Sequence, residues 1–273
     1  MNRNLLKLLS LTLLVFFMAA SSVFARQSNA PYKIVQDPEG VYIIEVNTNQ
    51  SKYKLMPYYT DELSTNHSVY KETGARFVVN TGFFDPKNMK TVSYVTIDSD
   101  VVLNPEDNEN LMNNKALKPY LNKILNRSEF RILKDAEGKI IYDIAPHNAE
   151  IKEDQKLIHA VQAGPMLLPD LRLEEEFFIL VKNGKIVSES ASSLHKYART
   201  AIGIKDNMVY IFVITNKAPM TLEEVADLTR KWGMEKAMAF DGGGSTSFDS
   251  QELHVISDKD DTARSLKSFL IMK

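Results

Sequence analysis

The chain has 273 residues, of which 25% are charged, and its 33 Lys and Arg against 35 Asp and Glu give a formal charge of -2 at pH 7. A near-neutral chain without a clustered basic segment argues against nucleic acid or an anionic membrane surface as partner. The chain contains no cysteine, which excludes disulfides and thiolate metal sites.

The first 25 residues have the pattern of a secretory signal peptide. Arg3 and Lys7 precede an apolar run over residues 8–20, and small residues follow up to Ala25. The run is short for a membrane-spanning helix, although an uncleaved anchor is the alternative interpretation. We therefore expect a secreted or periplasmic bacterial protein. Its single mature domain would be residues 26–273, with no stable membrane span once the signal peptide is removed.

The first candidate site residue lies at the end of a predicted strand. Residues 32–50 alternate apolar and polar side chains and predict a first strand pair, and ARFVVN then predicts a buried strand that ends at Asn80. Thr81 and Gly82 follow directly. Asn80 is therefore a candidate for the ligand-binding edge of the sheet, and the alternative is that its side chain caps a turn.

The composition changes between residues 104 and 154, where Asn, Lys and Glu dominate. We interpret this segment as an insertion or lid over the core, with one helix from Asn113 to Leu125 and a hairpin turn at residues 136–139. It ends at His147, one of five histidines, which follows a proline in a predicted loop. His147 is a candidate proton shuttle, and the alternative is a solvated histidine.

Further strands follow this segment. Residues 157–168 form an apolar run interrupted by Gly164, which predicts a sharp bend beside Gln162, and residues 174–176 predict a solvated acidic cap. A hairpin then begins at Arg199 and Thr200 and turns at residues 205–207. The planar guanidinium of Arg199 suits a phosphate or carboxylate, and the alternative is a structural salt bridge.

The stretch KAMAFDGGGSTSF, residues 236–248, is the centre of the predicted site. A helix from Thr221 to Trp232 precedes it, with Thr221 and Glu224 as a capping box. The strand that follows ends just before Asp241, and ligands often bind at such strand ends. Amides of the three glycines that follow could form a nest for an anion, with Ser245 adding a hydroxyl donor; the alternative is a purely structural turn.

Together these elements predict an α+β fold, with a mixed β-sheet core and flanking helices in a single domain. Five segments in the same order resemble the phosphodiester glycosidase family: NTGFF, QAGPMLL, ARTAIGI, MTLEEVADL and AFDGGGSTSF. Thr81 departs from the commoner family pattern, in which a small Gly or Ala is more usual. The resemblance covers residues 76–273 and implies cleavage between a sugar anomeric carbon and a phosphate oxygen.

The residues make chemical sense of that reaction. Asp241 would stabilise an oxocarbenium-like carbon and act as nucleophile or base, and Arg199 would neutralise the phosphate. Asp85, Asp143 and Asp206 are available as a second carboxylate, so retention or inversion stays open. The catalytic candidates are Asp241, Arg199, Thr200 and His147. The substrate-binding candidates are Asn80, Gly82, Gln162, Gly164, Gly242, Gly243, Gly244 and Ser245.

Two other functions stay open at this point. One is a non-catalytic module that binds a sugar phosphate or an envelope polysaccharide through the same loop. The other is a metal-assisted phosphodiesterase with a divalent ion at Asp241, although no HxH or HExxH spacing supports it. We expect no cofactor, and a carbohydrate phosphodiester or cell-envelope glycan as partner. Metal ligands and oligomeric state are not predicted.

Overall fold

A computed structural model describes residues 30–48, 52–190, 192–257 and 262–273. The predicted signal peptide lies outside these residues. No helix among them is both long and apolar enough to cross a membrane. The strands and helices below belong to the unit Pro31–Lys273.

The first sheet has six strands, and one of them, Lys236–Ala239, ends two residues before Asp241. Its strands, in spatial order, are β1 (Tyr32–Gln36), β2 (Val41–Val46), β14 (Met208–Ile214), β13 (Arg199–Lys205), β15 (Lys236–Ala239) and β10 (Met166–Leu168). β13 and β14 form the predicted hairpin, with Asp206 and Asn207 at positive φ in its turn. Asn and Asp tolerate that conformation better than most residues.

The second and third sheets have five strands each. The second contains β17 (His254–Ile256), β16 (Ser247–Ser250), β4 (Phe77–Asn80), β18 (Leu266–Met272) and β3 (Leu55–Ser64). The third contains β6 (Asp100–Leu103), β5 (Val95–Ile97), β9 (Gln155–Gln162), β7 (Ser128–Asp135) and β8 (Ile140–Pro146). A separate hairpin pairs β11 (Ile179–Lys182) with β12 (Lys185–Glu189).

Within the described residues, four α-helices flank these sheets: α1 (Asn66–Thr73), α2 (Glu109–Met112), α3 (Leu121–Leu125) and α4 (Leu222–Lys231). The capping box predicted for α4 is confirmed, because Thr221 accepts from the Glu224 amide while the Glu224 side chain accepts from the Thr221 amide. Such a cap stabilises a helix by about 1 kcal/mol. The buried face of α4 includes Leu222 and Val225, which pack on the outer face of the first sheet.

One apolar core joins all three sheets. Ile202 of the first sheet, Val79 of the second and Phe130 of the third belong to the same buried cluster. The neighbour Val78 points to the other side of its strand, where it packs with Val69 of α1. β4 is therefore buried on both faces, which explains its uninterrupted apolar sequence.

The structure corrects the predicted fold class in one respect. The fold is α+β, but it is dominated by strands, and every strand pairing in the described chain is antiparallel rather than mixed. In the described chain, helices connect β3 to β4, β6 to β7 and β14 to β15. Short loops connect most other strands, and such connections favour antiparallel neighbours.

The segment 104–154 contributes more to the core than a lid would. Its first half holds α2 and α3, and the helix predicted from Asn113 is limited to Leu121–Leu125. Its second half forms β7 and β8, and β7 lies between β8 and β9 in the third sheet. Phe130 of β7 is fully buried. The idea that 104–154 is an insertion relative to relatives stays a prediction.

The predicted acidic cap at residues 174–176 is wrong for Glu176, which is 1% exposed. Its carboxylate accepts from the Ser128 amide and hydroxyl and from the Met166 amide. Burial raises the pKa of Glu176, and the bonds from Ser128 and Met166 oppose that rise. Glu176 therefore connects the third sheet to the first through hydrogen bonds. Its acidic neighbours in the sequence made an exposed position the natural prediction.

Candidate active site

Asp241 lies where the first and second sheets meet. β15 ends at Ala239, and the amide of Phe240 donates to the carbonyl of Thr200 in β13 at 2.8 Å. The next amide, that of Asp241, donates to the carbonyl of Thr81 at the end of β4 at 2.7 Å. The main chain of Asp241 is thus fixed by two sheets, which leaves its side chain on a rigid support.

The side chain of Asn80 braces this junction. Its Nδ2 donates to the main-chain oxygen of Asp241 at 2.7 Å. Its Oδ1 accepts from the Thr200 hydroxyl at 2.8 Å and from the Ser247 amide at 3.1 Å. The structure therefore brings together three of the candidate residues, Asn80, Thr200 and Asp241. Asn80 and Thr200 are each 1% exposed and bond to the protein, so their direct contact with substrate stays a prediction.

The glycine loop makes a single tight turn after Asp241. The amide of Gly243 donates to the carbonyl of Ala198 at 2.8 Å, and Gly243 has a φ of +60° that favours glycine. A Cβ on Gly242 would lie 3.0 Å from the carbonyl oxygen of Ala198. Because the amides of Ser245 and Thr246 also bond within the turn, the loop offers fewer free donors than a full anion nest would.

The carboxylate of Asp241 is in an environment that disfavours its charge. Burial raises its pKa from 3.8 to about 6. Four groups oppose that rise: the hydroxyl of Ser245, the guanidinium of Arg264, the amide of Gly242 and the guanidinium of Arg199. A carboxyl group with a pKa near 6 can gain or lose a proton close to neutral pH, as acid–base catalysis requires.

Asp241 and Arg264 line the same open cleft, which has a volume of about 450 Å³. Its apolar wall consists of Leu63, Phe84, Pro86 and Met89. Arg264 donates to the hydroxyl of Ser245 across 3.4 Å. A carboxylate and a guanidinium therefore face one hollow with an apolar wall, an arrangement typical of ligand sites.

Sequence reasoning missed Arg264. The sequence shows only an arginine before the last strand. Antiparallel pairing places Phe269 of β18 opposite Asn80 of β4, so the start of β18 lies near the end of β4. The paired residues are almost 190 positions apart in the sequence, so no local pattern predicts that Arg264 lies near Asn80.

Arg199, by contrast, is directed into the protein. It is 4% exposed, and its Nε donates to the carbonyl of Met220 at 2.9 Å. Its Nη2 donates to the carbonyls of Ser192 and His195, each at 2.7 Å. Burial lowers its pKa, and Asp241 provides the largest opposing effect. Arg199 is thus an electrostatic neighbour of Asp241, but it does not line the cleft.

Gln162, Gly82 and Gly164 serve internal packing. Gln162 is fully buried, accepts from the amide of Tyr94 and donates to the carbonyls of Leu125 and Arg127. A Cβ on Gly82 would lie 2.5 Å from the carbonyl oxygen of Gln162, and one on Gly164 would lie 2.3 Å from Oε2 of Glu176. These glycines allow protein segments to approach each other, and none of the three residues lines the cleft.

His147 belongs to a different polar cluster on the third sheet. Its Nδ1 lies 2.7 Å from Oε2 of Glu129, and Glu129 also pairs with Arg131 at 2.8 Å. The imidazole stacks on Tyr94 with ring centroids 4.1 Å apart. Its contacts in the described chain do not include Asp241 or the cleft-lining side chains, so the structure does not bring this catalytic candidate to the site.

The three candidate second carboxylates have different positions. Asp143 pairs with Lys236 at 2.5 Å, and Asp206 sits in the turn of the β13–β14 hairpin. Asp85 lines a second hollow of about 560 Å³, whose wall shares Pro86 with the cleft of Asp241. Of the three, Asp85 is therefore the carboxylate beside the candidate site.

Asp241 is not part of a ready-made metal cluster. Among the residues that the structure describes, one set of three or more His, Asp or Glu side chains converges closely enough to share an ion, and it consists of His67, Asp249 and His254. A metal at Asp241 stays a hypothesis. The Asp241 cleft supplies a cation of its own in Arg264.

Comparisons with known proteins give the following similarities. The family model described as phosphodiester glycosidase matches residues 73–273. The fold is similar to the catalytic domain of zebrafish N-acetylglucosamine-1-phosphodiester alpha-N-acetylglucosaminidase, a structure auto-inhibited by its pro-peptide. That match has a TM-score of 0.61 and 14% identity, and it covers 89% of this chain and 84% of the zebrafish chain.

A second similar structure is a hypothetical protein from Synechocystis. Its TM-score is 0.53 with 15% identity, and the match covers 88% of this chain and 61% of the other. A comparison with curated protein sequences gives no match. At these identities the two structures show that the fold is shared.

Proposed function

Since the chain belongs to the phosphodiester glycosidase family, we propose that it is a hydrolase that cleaves the bond between a sugar anomeric carbon and phosphate in a sugar-1-phosphodiester. The observation that carries the proposal is the pairing of two opposite charges in one cleft. Asp241, with a pKa raised to about 6, and Arg264 line the same hollow of about 450 Å³. The negative charge of Asp241 would act on the sugar, and the positive charge of Arg264 would act on the phosphate.

Asp241 acts on the sugar. As the bond from the anomeric carbon to the phosphate oxygen breaks, positive charge develops on the carbon and the ring oxygen, and a carboxylate stabilises it. Asp241 then either takes a proton from the water that bonds to the carbon or forms a glycosyl ester that water cleaves. Either route consumes one water and yields a free sugar and a phosphate monoester. The anomer first released distinguishes the two.

Arg264 acts on the phosphate. A phosphodiester leaves as a phosphate monoester, which needs charge neutralisation more than protonation. Arg264 reaches the Ser245 hydroxyl below the glycine loop. Ser245 is fully buried, so the donor that a phosphate in the cleft would meet is the exposed guanidinium of Arg264. The partly exposed backbone of the loop around Gly244 offers a close approach without a side chain in the way. Arg264 thereby has the role that was predicted for Arg199 from the sequence, which is to neutralise the phosphate.

The apolar wall suits the remainder of the substrate. Phe84 and Pro86 could pack on the apolar face of a sugar ring. Met89 is 56% exposed, and its flexible side chain could adjust its conformation to substrates of different size. The hollow beyond Pro86, lined by Lys87 and Asn110, offers room and polar groups for the group on the far side of the phosphate. A carbohydrate phosphodiester or an envelope glycan fits this description.

We further propose that the protein acts outside the cytoplasm. The support is the sequence of residues 1–25, with its basic start, apolar run and small residues before Ala25. Expression of the full chain in a bacterial host, followed by fractionation and N-terminal sequencing, tests this. A periplasmic or secreted product that begins near Arg26 supports export, and an uncleaved product confined to the cytoplasm contradicts it.

The test of the activity is a panel of sugar-1-phosphate diesters incubated in oxygen-18 water. A glycosidase places the label in the sugar, whereas a phosphodiesterase places it in the phosphate. Label in phosphate, abolished by a chelator, would favour the metal-assisted alternative. Saturable binding of the same diesters by calorimetry without any product would favour the non-catalytic binding module. Either result would contradict the proposed hydrolysis.

A further inference from the structure

Two histidines converge on one buried carboxylate on the outer side of the second sheet. Nδ1 of His67 lies 3.0 Å from Oδ1 of Asp249, and Nδ1 of His254 lies 2.5 Å from the same oxygen. One ligand atom from each residue falls within 4.8 Å of the others. The three residues, which we name the HDH cluster, come from α1, β16 and β17.

Strand pairing fixes Asp249 and His254, and the anchored start of α1 fixes His67. Asp249 and His254 are cross-strand partners in the β16–β17 pairing. His67 follows Asn66, whose buried side chain donates to the carbonyls of Val78 and Ser247, each at 3.1 Å. The start of α1 is therefore anchored to β4 and β16. The convergence of the HDH cluster is thus set by the packing of a helix on a sheet.

We propose that the HDH cluster is a binding site for a divalent transition metal, with Zn²⁺ as the preferred ion. Imidazole nitrogen and carboxylate oxygen are common zinc ligands, and cysteine is absent from this chain. Nδ1 of His67, Nδ1 of His254 and a carboxylate oxygen of Asp249 would be the three protein ligands. Water would complete a tetrahedral site on the open side.

The geometry permits this with small side-chain movements. Zinc bonds of about 2.1 Å at tetrahedral angles separate ligand atoms by about 3.4 Å. The present separations of 3.0 and 2.5 Å are somewhat shorter, so the imidazoles must move outward by rotation. Both can do so, because the side chains of His67 and His254 are 53% and 49% exposed. The Asp249 side chain is 3% exposed and stays fixed.

Burial of the carboxylate is the reason for favouring an ion over a simple pair of hydrogen bonds. A buried carboxylate is stabilised only by partners with positive or donating groups. Two neutral imidazoles could each donate to the oxygen of Asp249, but a divalent ion compensates that charge more strongly. The bound ion would join α1 to the β16–β17 hairpin. It would act as a structural clamp and would lie outside the cleft, because Asp249 does not line it.

The test is zinc binding to the purified protein, prepared without a histidine tag and stripped with a chelator. Calorimetry with zinc chloride should give one equivalent of tight binding. His67→Asn and His254→Asn should each bind zinc at least about 100-fold more weakly, since even residues that only orient a ligand contribute 10–100-fold. Cobalt(II) should give the intense visible absorption of a tetrahedral site with the wild type, and this absorption should be lost in both variants.

The matched control is His195→Asn. His195 also pairs with a carboxylate, Glu189, at 3.1 Å, but no second histidine joins that pair. This variant should bind zinc as the wild type does, and zinc should raise the melting temperature of both. Absence of zinc binding by the wild type, or retained binding in either His67→Asn or His254→Asn, would overturn the proposal. Asp249→Asn adds a third ligand test if it folds.

Discussion

Asn80 donates a hydrogen bond of 2.7 Å from its amide to the main-chain oxygen of Asp241, a residue 161 positions away in the chain. The same side chain accepts from Thr200 and from the amide of Ser247. One buried amide thus connects the main chain of Asp241, the β13 strand and the exit of the glycine loop. The position of Asp241 depends on this brace as much as on its own strand.

Loss of the brace should disturb both stability and turnover. In Asn80→Ala, the Thr200 hydroxyl and the Ser247 amide lose their common acceptor. A buried polar group left without a partner costs about 1–3 kcal/mol, so we expect destabilisation of about 2 kcal/mol in urea unfolding. We also expect a lower kcat on a sugar-1-phosphodiester.

Asn122→Ala is the matched control, because Asn122 is exposed on α3. It should change the free energy of unfolding by less than about 0.5 kcal/mol. Equal stability and turnover of Asn80→Ala and wild type would contradict the role given to the brace.

Asp241→Asn should abolish catalysis without loss of fold. The substitution keeps the shape of the side chain and removes the charge that stabilises the developing oxocarbenium ion. We expect kcat on a sugar-1-phosphate diester to fall by at least about 10³-fold, in the range that loss of essential catalytic groups produces. Circular dichroism and calorimetry of diester binding provide the folding controls. Turnover within tenfold of wild type would remove Asp241 from the mechanism.

The pH dependence of stability gives a second, independent test of Asp241. Its folded pKa of about 6 lies above its ordinary value of 3.8, so the folded state holds the proton more tightly than the unfolded state does. The stability from this group is fully present below pH 3.8 and is lost as pH rises through 6. Two pKa units correspond to about 3 kcal/mol as an upper limit.

Asp241→Asn should therefore be more stable than wild type at pH 8, by up to about 3 kcal/mol, and nearly equal to it at pH 4. Urea unfolding of both proteins across this range measures the difference, and effects of other groups on acid unfolding cancel in the comparison. A difference that stays constant with pH would show that the pKa of Asp241 is not raised. The rate with wild type should also fall below pH 6, as the carboxylate gains its proton.

Arg264 and Arg199 should respond differently to truncation. Arg264→Ala should lower kcat/KM on a charged diester by about 10²-fold, the loss typical of one group that stabilises transition-state charge. The loss on an uncharged aryl glycoside should be much smaller, and the melting temperature should change little, because Arg264 is exposed. Arg264→Lys should recover part of the activity on the diester.

Arg199→Ala should instead lower the melting temperature and reduce activity on both substrates to a similar extent. Its guanidinium bonds the carbonyls of Met220, Ser192 and His195, and their loss loosens the segment that supports the glycine loop. Measurement of kcat/KM for the charged diester and for the uncharged aryl glycoside with both variants distinguishes an arginine that binds phosphate from one that supports the glycine loop. A loss confined to the diester in Arg199→Ala would restore the original assignment of this arginine to phosphate.

Much of the local structure could be predicted from neighbouring residues. The capping box of Thr221 and Glu224 defines the start of α4, and the turn at Asp206 and Asn207 defines the β13–β14 hairpin. Such features depend on contacts between residues a few positions apart. The position of Asp241 after a buried strand and before three glycines was predictable for the same reason.

The partners of polar side chains could not be predicted in this way. The sequence does not distinguish Arg199, which bonds internal carbonyls, from Arg264, which lines the cleft, because each is an arginine beside a strand. Glu176 follows two exposed acidic residues and is nevertheless buried against Ser128. The roles of these side chains follow from which strands pair and which segments pack together.

Residues that are close in the chain, or an ordered set of motifs, were enough to predict the strand that presents Asp241, the glycine turn after it, the main helix and the family. That three antiparallel sheets share one core is evident only from the folded chain. The same holds for the brace between Asn80 and Asp241 and for the cleft that Asp241 and Arg264 line together. Pairing between distant strands, such as β18 with β4, is chosen by burial and hydrogen bonding of the whole chain, and no short stretch of sequence contains that information.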